Sequence, residues 1–432
     1  MVNKLNFNFI KQGRTADNMT RHGLTMVAFG ALGGLFNYLY QLVMGMLLPA
    51  QEYGVLFSLT SLVVILLVFS QAITLAVAKI TSKLKVEGRV GGINYLWHFF
   101  LKRTLLVSIV AFVVLAAFSP LISGFLNLNN LLYPVIVFST MLVVLALSVS
   151  LGVMQGLQRF FSLGFSQTLV GLLRLGFGVL LVYLGLGIYG GLASIPISFA
   201  LVLLVAFPLL RNLSHAGNER VAVTGLRSYV GLTLVAIFFF SVLTNVDTIL
   251  ARHYLNATDA GNYSAISVLG RIAFYAPAGV AAAMFPKTSA FFESGGDHRG
   301  LFLKAMVLVM LIASSVVLVY GLFPQMVIQF LFAGKYPLIA PYLFAYGLAM
   351  ALFAFSFLLL NYFLSLNQTK VAYSLLGVTI LQLILIAIFH STIDQLVDIM
   401  LICGILSIVA MLPFYLRQRR KALGLTSGKG YE

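Results

Sequence analysis

The chain has 432 residues, 61% hydrophobic and 9% charged, with a mean hydropathy of +1.03. Soluble domains are about a quarter charged, so an ordinary soluble fold is excluded. The formal net charge of +16 would suit a nucleic-acid partner only if it were clustered, and it is spread between apolar runs; no nucleic acid is expected.

Residues 1–22 are polar and basic and read as a cytoplasmic amino-terminal segment, with no cleavable signal peptide. Within it, Leu5 to Lys11 fits either a short amphipathic anchor in the headgroup plane or an unstructured leader. Long apolar runs follow at about residues 24–48, 55–78, 104–126, 131–154, 163–185, 188–210, 228–252, 262–286, 305–326, 341–365, 371–390 and 396–416. Each reaches the ~20 residues a helix needs to cross ~30 Å of hydrocarbon, and they are numbered here as spans 1 to 12. Of the 27 lysines and arginines, 23 lie in the amino terminus, in alternate gaps and in the tail. Arg252 and Lys335 alone fall in the other gaps, and Arg174 and Arg271 lie inside spans. The positive-inside rule places both termini in the cytoplasm. The expectation is an all-α, multi-pass protein of a bacterial or archaeal inner membrane.

The sequence also matches itself at an offset of 207 residues. Leu48-Pro49-Ala50-Gln51-Glu52-Tyr53-Gly54 lies over Leu255-Asn256-Ala257-Thr258-Asp259-Ala260-Gly261, and Thr81-Ser82 lies over Thr288-Ser289. The offset covers six spans, an even number, so the halves are parallel repeats about an axis along the membrane normal. The organisation read from this is a first six-helix lobe at 23–210, a cytoplasmic linker at 211–227, a second lobe at 228–416 and a basic tail at 417–432, with a cavity between the lobes. Gly30 and Gly34 in span 1, and Gly171, Gly176 and Gly178 in span 5, read as close helix packing.

Arg174, about 11 residues into span 5, and Arg271, about 10 into span 8, stand near the midplane at 1.5 Å per residue. A central arginine is costly by about 2.5–3.5 kcal/mol on insertion scales, so each is expected to face a shared aqueous cavity or a partner. Asp247 is the one acid well inside a span. Three readings stay open for it: an ion pair with Arg271, a coupling site for a proton or Na⁺, or substrate contact. Asn245 lies two residues away. Lys79 and Lys287, at matching cytoplasmic helix ends, read as snorkelling lysines or as guards of a cavity's inner mouth. The six histidines never come at ligand spacing with carboxylates, Cys403 stands alone, and no nucleotide-binding loop is present. No metal or cofactor is expected.

Two stretches carry a family resemblance: LLPAQEYGVLFSLTSL after span 1 and NVDTILARHYLNATDAGNYSAISVLGRIAFYAPAGVAAAMFPKTS across spans 7 and 8. They resemble the polysaccharide-transporter branch of the multidrug/oligosaccharidyl-lipid/polysaccharide (MOP) exporter superfamily. Asn245, Asp247, Asp259, Gly261, Arg271, Pro286 and Lys287 match its pattern of places. The resemblance implies two six-helix bundles rocking about a central cavity and carrying lipid-linked oligosaccharides outward, with membrane lipids and other polysaccharide-assembly proteins as partners. The extra carboxyl-terminal helix pair of certain lipid II flippases is missing, since this sequence stops at 12 spans.

Arg174, Arg271, Asn245, Lys79 and Lys287 are the candidate substrate-binding residues, with Asp247 as ion-coupling site or structural ion pair. A diphosphate suits arginine's paired donors, so a flippase for a lipid-linked glycan is the leading reading. A cation-coupled multidrug exporter of the same fold is the runner-up. A membrane glycan polymerase or ligase is a third, disfavoured by short outer gaps.

Overall fold

The computed structural model describes residues 28–214, 219, 229–293 and 299–422. Readings made for residues 1–22, for most of the 211–227 linker and for the end of the tail therefore lie outside the described residues. Every regular element among those described is helical. Ten stretches are long and apolar enough to cross a membrane, and one of them, Phe160–Arg211, is two spans joined by a tight turn. That turn, Val182–Leu186, needs Gly185 at φ 87°, and Gly187 follows at φ 48°, both left-handed values that glycine adopts without penalty. A further helix over residues 28–47 precedes the ten. Among the described residues, each of the twelve apolar runs thus falls on helix.

The main difference from expectation is span 3. The apolar run begins at residue 104, but the helix is Val90–Ala117. Lys102 and Arg103, which read as loop, lie inside it because the buried positions Ile93, Asn94, Leu96, Trp97, Leu101, Thr104 and Ser108 recur at helical spacing. Lys102 and Arg103 fall on the opposite, exposed side, and the Arg103 guanidinium lies 4.3 Å from the Phe99 ring centroid. Span 2, Ala50–Val86, has 37 residues and is about 55 Å long at 1.5 Å per residue, well beyond the ~30 Å hydrocarbon layer.

The chain packs as two compact units. The first comprises residues up to Leu47, Phe69–Gly124 and Leu128–Leu226. Its core joins Val77 and Leu84 of span 2, Leu96 and Trp97 of span 3, Val149 and Val153 of span 4 (Leu132–Gly156), Leu163 of span 5 and Val202 of span 6 (Gly187–Ser214). Glycine sets the closest approach. A Cβ on Gly152 would lie 2.7 Å from the Thr74 carbonyl oxygen, and one on Gly156 2.6 Å from that of Ala78. Span 1 packs on span 5 through Gly33, Gly171, Gly164 and Gly178, whereas Gly30, Gly34 and Gly176 have open space. The GxxxG spacing therefore picked out the wrong face of span 1: Gly33 is the glycine that packs.

The second unit comprises Leu48–Val68, Phe125–Asn127 and residues from Arg227 onward. It holds the first half of span 2 against span 8, and the two repeat-equivalent segments meet there directly. A Cβ on Gly54 would lie 3.0 Å from the Gly261 amide nitrogen, and one on Gly261 2.1 Å from the Ala50 carbonyl oxygen. Gln51 donates to Thr258 at 3.5 Å, its equivalent 207 residues on. Phe125–Asn127 is held by Arg252, which donates to the carbonyls of Leu126 (3.1 Å) and Asn127 (3.0 Å). Lys335 donates to the Leu48 carbonyl. The two basic residues that depart from the charge pattern are thus both caps for loop and helix-end carbonyls.

Candidate functional site

Span 7 is broken. Its first helix, Tyr229–Leu243, stops and a second, Val246–Tyr254, begins after Asn245, whose backbone is non-helical at φ −133° and ψ −19°. The sequence Ser241–Thr244–Asn245 explains the break, since such side chains compete for backbone groups. Thr244 Oγ1 donates to the Phe240 carbonyl at 2.9 Å, and Asn245 Nδ2 donates to that of Ser241 at 2.9 Å. Carbonyls freed inside a membrane need protein partners. The Leu243 carbonyl accepts from Gln382 Nε2 at 3.0 Å, and the Thr244 carbonyl accepts from Arg271 Nη2 at 3.0 Å.

Span 8 supplies that arginine from a break of its own. Asn256 caps its start, accepting from the amides of Thr258 (3.1 Å) and Asp259 (2.9 Å) and donating to the Asp259 carboxylate (2.7 Å). This reciprocal cap explains the acid in the repeated turn as a helix-start device. The helix Ala257–Gly270 ends at Arg271, and Ile272–Glu293 continues it.

Asp247, in the first turn after the span 7 break, is fully buried. Its Oδ2 accepts from Tyr346 at 2.6 Å and Tyr263 at 3.1 Å, and its Oδ1 lies 3.5 Å from Arg271 Nη2. Ser267 bonds the Tyr346 hydroxyl at 2.9 Å. Gly270 makes room for this tyrosine, because a Cβ there would lie 2.2 Å from its ring. Thr248 reaches Ser61 of span 2 at 2.8 Å, and the Arg271 guanidinium sits 5.0 Å from the Phe57 centroid. Inside this otherwise satisfied cluster, Asn245 Oδ1, Asp247 Oδ1 and Arg271 Nε make no hydrogen bond.

Arg174 lies in the first unit, in the middle of span 5. It is 9% exposed, with its guanidinium 4.3 Å from the centroid of the Tyr40 ring. Tyr40 is itself fixed by its hydroxyl donating to the Gly191 carbonyl at 2.8 Å. Two Arg174 donors, Nε and Nη2, have no hydrogen-bond partner. Tyr40 and Asp247 stand 207 residues apart, so equivalent places in the two repeats hold the partners of the two arginines, a ring in one and a carboxylate in the other.

The structure therefore gathers Asn245, Asp247 and Arg271 into one cluster and places Arg174 in a separate environment in the other unit. Lys79 and Lys287 are exposed on the helices Ala50–Val86 and Ile272–Glu293, outside the cluster. The arginine on span 8 is in an ion pair rather than in open water. Tyr40, Tyr263 and Tyr346 are the participants that sequence reading missed; the signal was tyrosine within an apolar run rather than at its interfacial ends, where tyrosine is ordinarily enriched. Chemically, Arg174 offers two free donors of a planar fork to an anion, while the charge of Asp247 is already engaged.

A sequence model of the family described as polysaccharide biosynthesis protein matches residues 43–341. No curated protein matches the sequence. Among solved structures, the chain is similar to the inward-facing form of a multidrug-resistance MATE-family transporter of the MOP superfamily (TM-score 0.76, 15% identity, covering 94% of this chain and 100% of that one). It is similar also to an outward-facing form of such a transporter (TM-score 0.67, 14% identity, 94% and 96% covered). A third is a MOP-superfamily transporter from Pyrococcus furiosus described by the reverse polarity of its binding pocket (TM-score 0.65, 15% identity, 94% and 96% covered). At these identities the likeness establishes the fold.

Proposed function

Because the chain belongs to the polysaccharide biosynthesis protein family, we propose that it moves a lipid-linked (polyprenyl diphosphate) oligosaccharide from the inner to the outer leaflet by alternating access. It is a multi-pass membrane protein with the MOP-superfamily transporter fold, and family and fold are those of transporters rather than enzymes. The observation that carries the finer reading is Arg174: a buried guanidinium with two unpartnered donors in a family that handles glycans. Burying an unsatisfied charged donor is unfavourable, and a diphosphate oxygen pair matches the fork. In this proposal both termini lie in the cytoplasm of a bacterial or archaeal cell, and the lobes at 23–210 and 228–416 are the moving halves. Arg271 joins substrate binding only when it is released from Asp247. Lys79 and Lys287 draw the anionic headgroup toward the inner mouth, and Asn245 offers its free oxygen to a sugar hydroxyl.

The energetics agree with outward movement of an anion. A negative interior favours export of each negative charge by ~2.3 kcal/mol per 100 mV, without ATP. The cation-coupled drug exporter has less support, since Asp247 is held by Arg271 and two tyrosine hydroxyls. The test is flux of a fluorescent polyprenyl-diphosphate glycan in proteoliposomes. Arg174→Ala abolishes flux and Arg174→Lys, which keeps charge but loses the fork, lowers it strongly. Wild-type flux in Arg174→Ala refutes the assignment.

A further inference from the structure

A second site stands in the first unit, near the basic ends of spans 3 and 6. A shallow, largely open pocket of about 280 Å³ is lined by Trp97, His98, Phe207, Pro208 and Arg211. We infer that this pocket binds the headgroup of an anionic phospholipid from the leaflet on the basic side of the membrane.

Its floor is rigid. Trp97 is 2% exposed, its indole Nε1 donates to Ser150 Oγ at 3.1 Å, and its ring packs against His98 (4.9 Å) and Phe207 (5.7 Å). His98 Nδ1 donates to the Asn94 carbonyl at 3.0 Å, which leaves Nε2 as the nitrogen available to a ligand. Arg211 is exposed at the rim.

Two stripes lead from the pocket toward the bilayer centre. On span 3 they are His98, Lys102, Leu105 and Ile109, at helical spacings of four, three and four; on span 6, read backward, Arg211, Phe207 and Leu204. Spans 3 and 6 run in opposite directions, so both stripes pass from basic to apolar in the same sense. Leu204 is 63% and Ile109 52% exposed. This is the profile of a phospholipid: phosphate at Arg211 and His98, glycerol over the exposed Phe207 ring, acyl chains along Leu105, Ile109 and Leu204. Basic pockets between spans on the positive side take such headgroups, and tryptophan sits at headgroup depth. Arg174 is not among the residues that line it.

Trp97 is the one tryptophan in the chain, so the pocket reports on itself. The full-length protein is placed in nanodiscs of phosphatidylcholine with increasing phosphatidylglycerol, one or the other carrying brominated acyl chains. Brominated phosphatidylglycerol is expected to quench Trp97 at a mole fraction roughly fivefold lower, per basic group engaged, than brominated phosphatidylcholine. His98→Ala/Arg211→Gln removes that preference, whereas Lys304→Gln, on span 9, leaves it. Equal quenching by the two wild-type lipids overturns the site, a result that needs no variant to fold. Preference retained by the double variant also overturns it. So does displacement of the brominated lipid by equimolar polyprenyl phosphate, which would make the pocket a carrier-lipid site. Loss of flux in Arg174→Ala is independent of all these outcomes.

Discussion

Asp247→Asn isolates the charge of the buried pair with little change of shape. The asparagine oxygen can still accept from Tyr263 and Tyr346, but Arg271 is left with the Thr244 carbonyl, 3.0 Å away, and the Phe57 ring, 5.0 Å away. Interhelical hydrogen bonds in membranes average only about 0.6 kcal/mol. Removing one member of a buried ion pair costs about 3–5 kcal/mol, because the survivor's charge stays desolvated. The charge therefore dominates, and the expected loss is about 3 kcal/mol or more. Arg271→Met is milder, since an orphaned carboxylate can take up a proton between two tyrosine hydroxyls and an orphaned guanidinium cannot lose one. The double variant Asp247→Asn/Arg271→Met recovers most of the loss, and that recovery plus the cost of Arg271→Met alone gives a coupling of about 3 kcal/mol, at the upper end of the range seen for contacting residues. The assay is reversible unfolding in mixed micelles of rising dodecyl sulfate mole fraction, followed by circular dichroism. A single Asp247→Asn within about 1 kcal/mol of wild type, or a double variant no more stable than Asp247→Asn alone, refutes the argument that the pair is desolvated.

Other outcomes follow from the same geometry. Gly261→Ala forces a Cβ onto the Ala50 carbonyl, 2.1 Å away, and should destabilise by about 1–3 kcal/mol or more as an overpacking change; Gly30→Ala, with nothing within 4 Å, should be near neutral in the same micelle titration. Tyr346→Phe removes one donor to Asp247 and should be less harmful than Asp247→Asn, by less than about 2 kcal/mol. Arg252→Met frees the Leu126 and Asn127 carbonyls and should raise protease nicking between residues 124 and 128 while leaving the Asp247 cluster intact. Tyr40→Leu removes the ring under Arg174; flux should fall further with Tyr40→Leu than with Tyr40→Phe, which keeps the ring face.

Much of this molecule was legible along the chain. Membrane crossing is decided by the transfer free energy of about 20 successive side chains, a property that sums locally, so the twelve apolar runs and their helices agree. The self-match at 207 residues falls on two helix starts: Asn256 caps Asp259 in one segment, and the other likewise carries an acid, Glu52, in the first turn of its helix. A buried Arg271 with Asp247 nearby in the chain also announced itself, because each is too costly to leave alone in hydrocarbon.

What the chain did not disclose is which of several acceptable partners each group takes. Span 3 begins fourteen residues before its apolar run, because burial of one face, not average hydropathy, fixes where a helix starts. Gly33 rather than Gly30 or Gly34 packs on span 5, since helix rotation is set by the neighbour's shape. The tyrosines that hold Asp247 lie 16 and 99 residues away, and the carbonyls freed by the break in span 7 find Arg271 and Gln382, 27 and 139 residues away. The sequence by itself determined that this chain spans a membrane as helices, since transfer out of water is a sum over neighbours in the chain. Only the tertiary structure decided that one buried arginine is neutralised by a carboxylate and the other rests on a tyrosine ring with donors to spare, because hydrogen bonds and ion pairs depend on distances of a few ångströms that no linear pattern specifies.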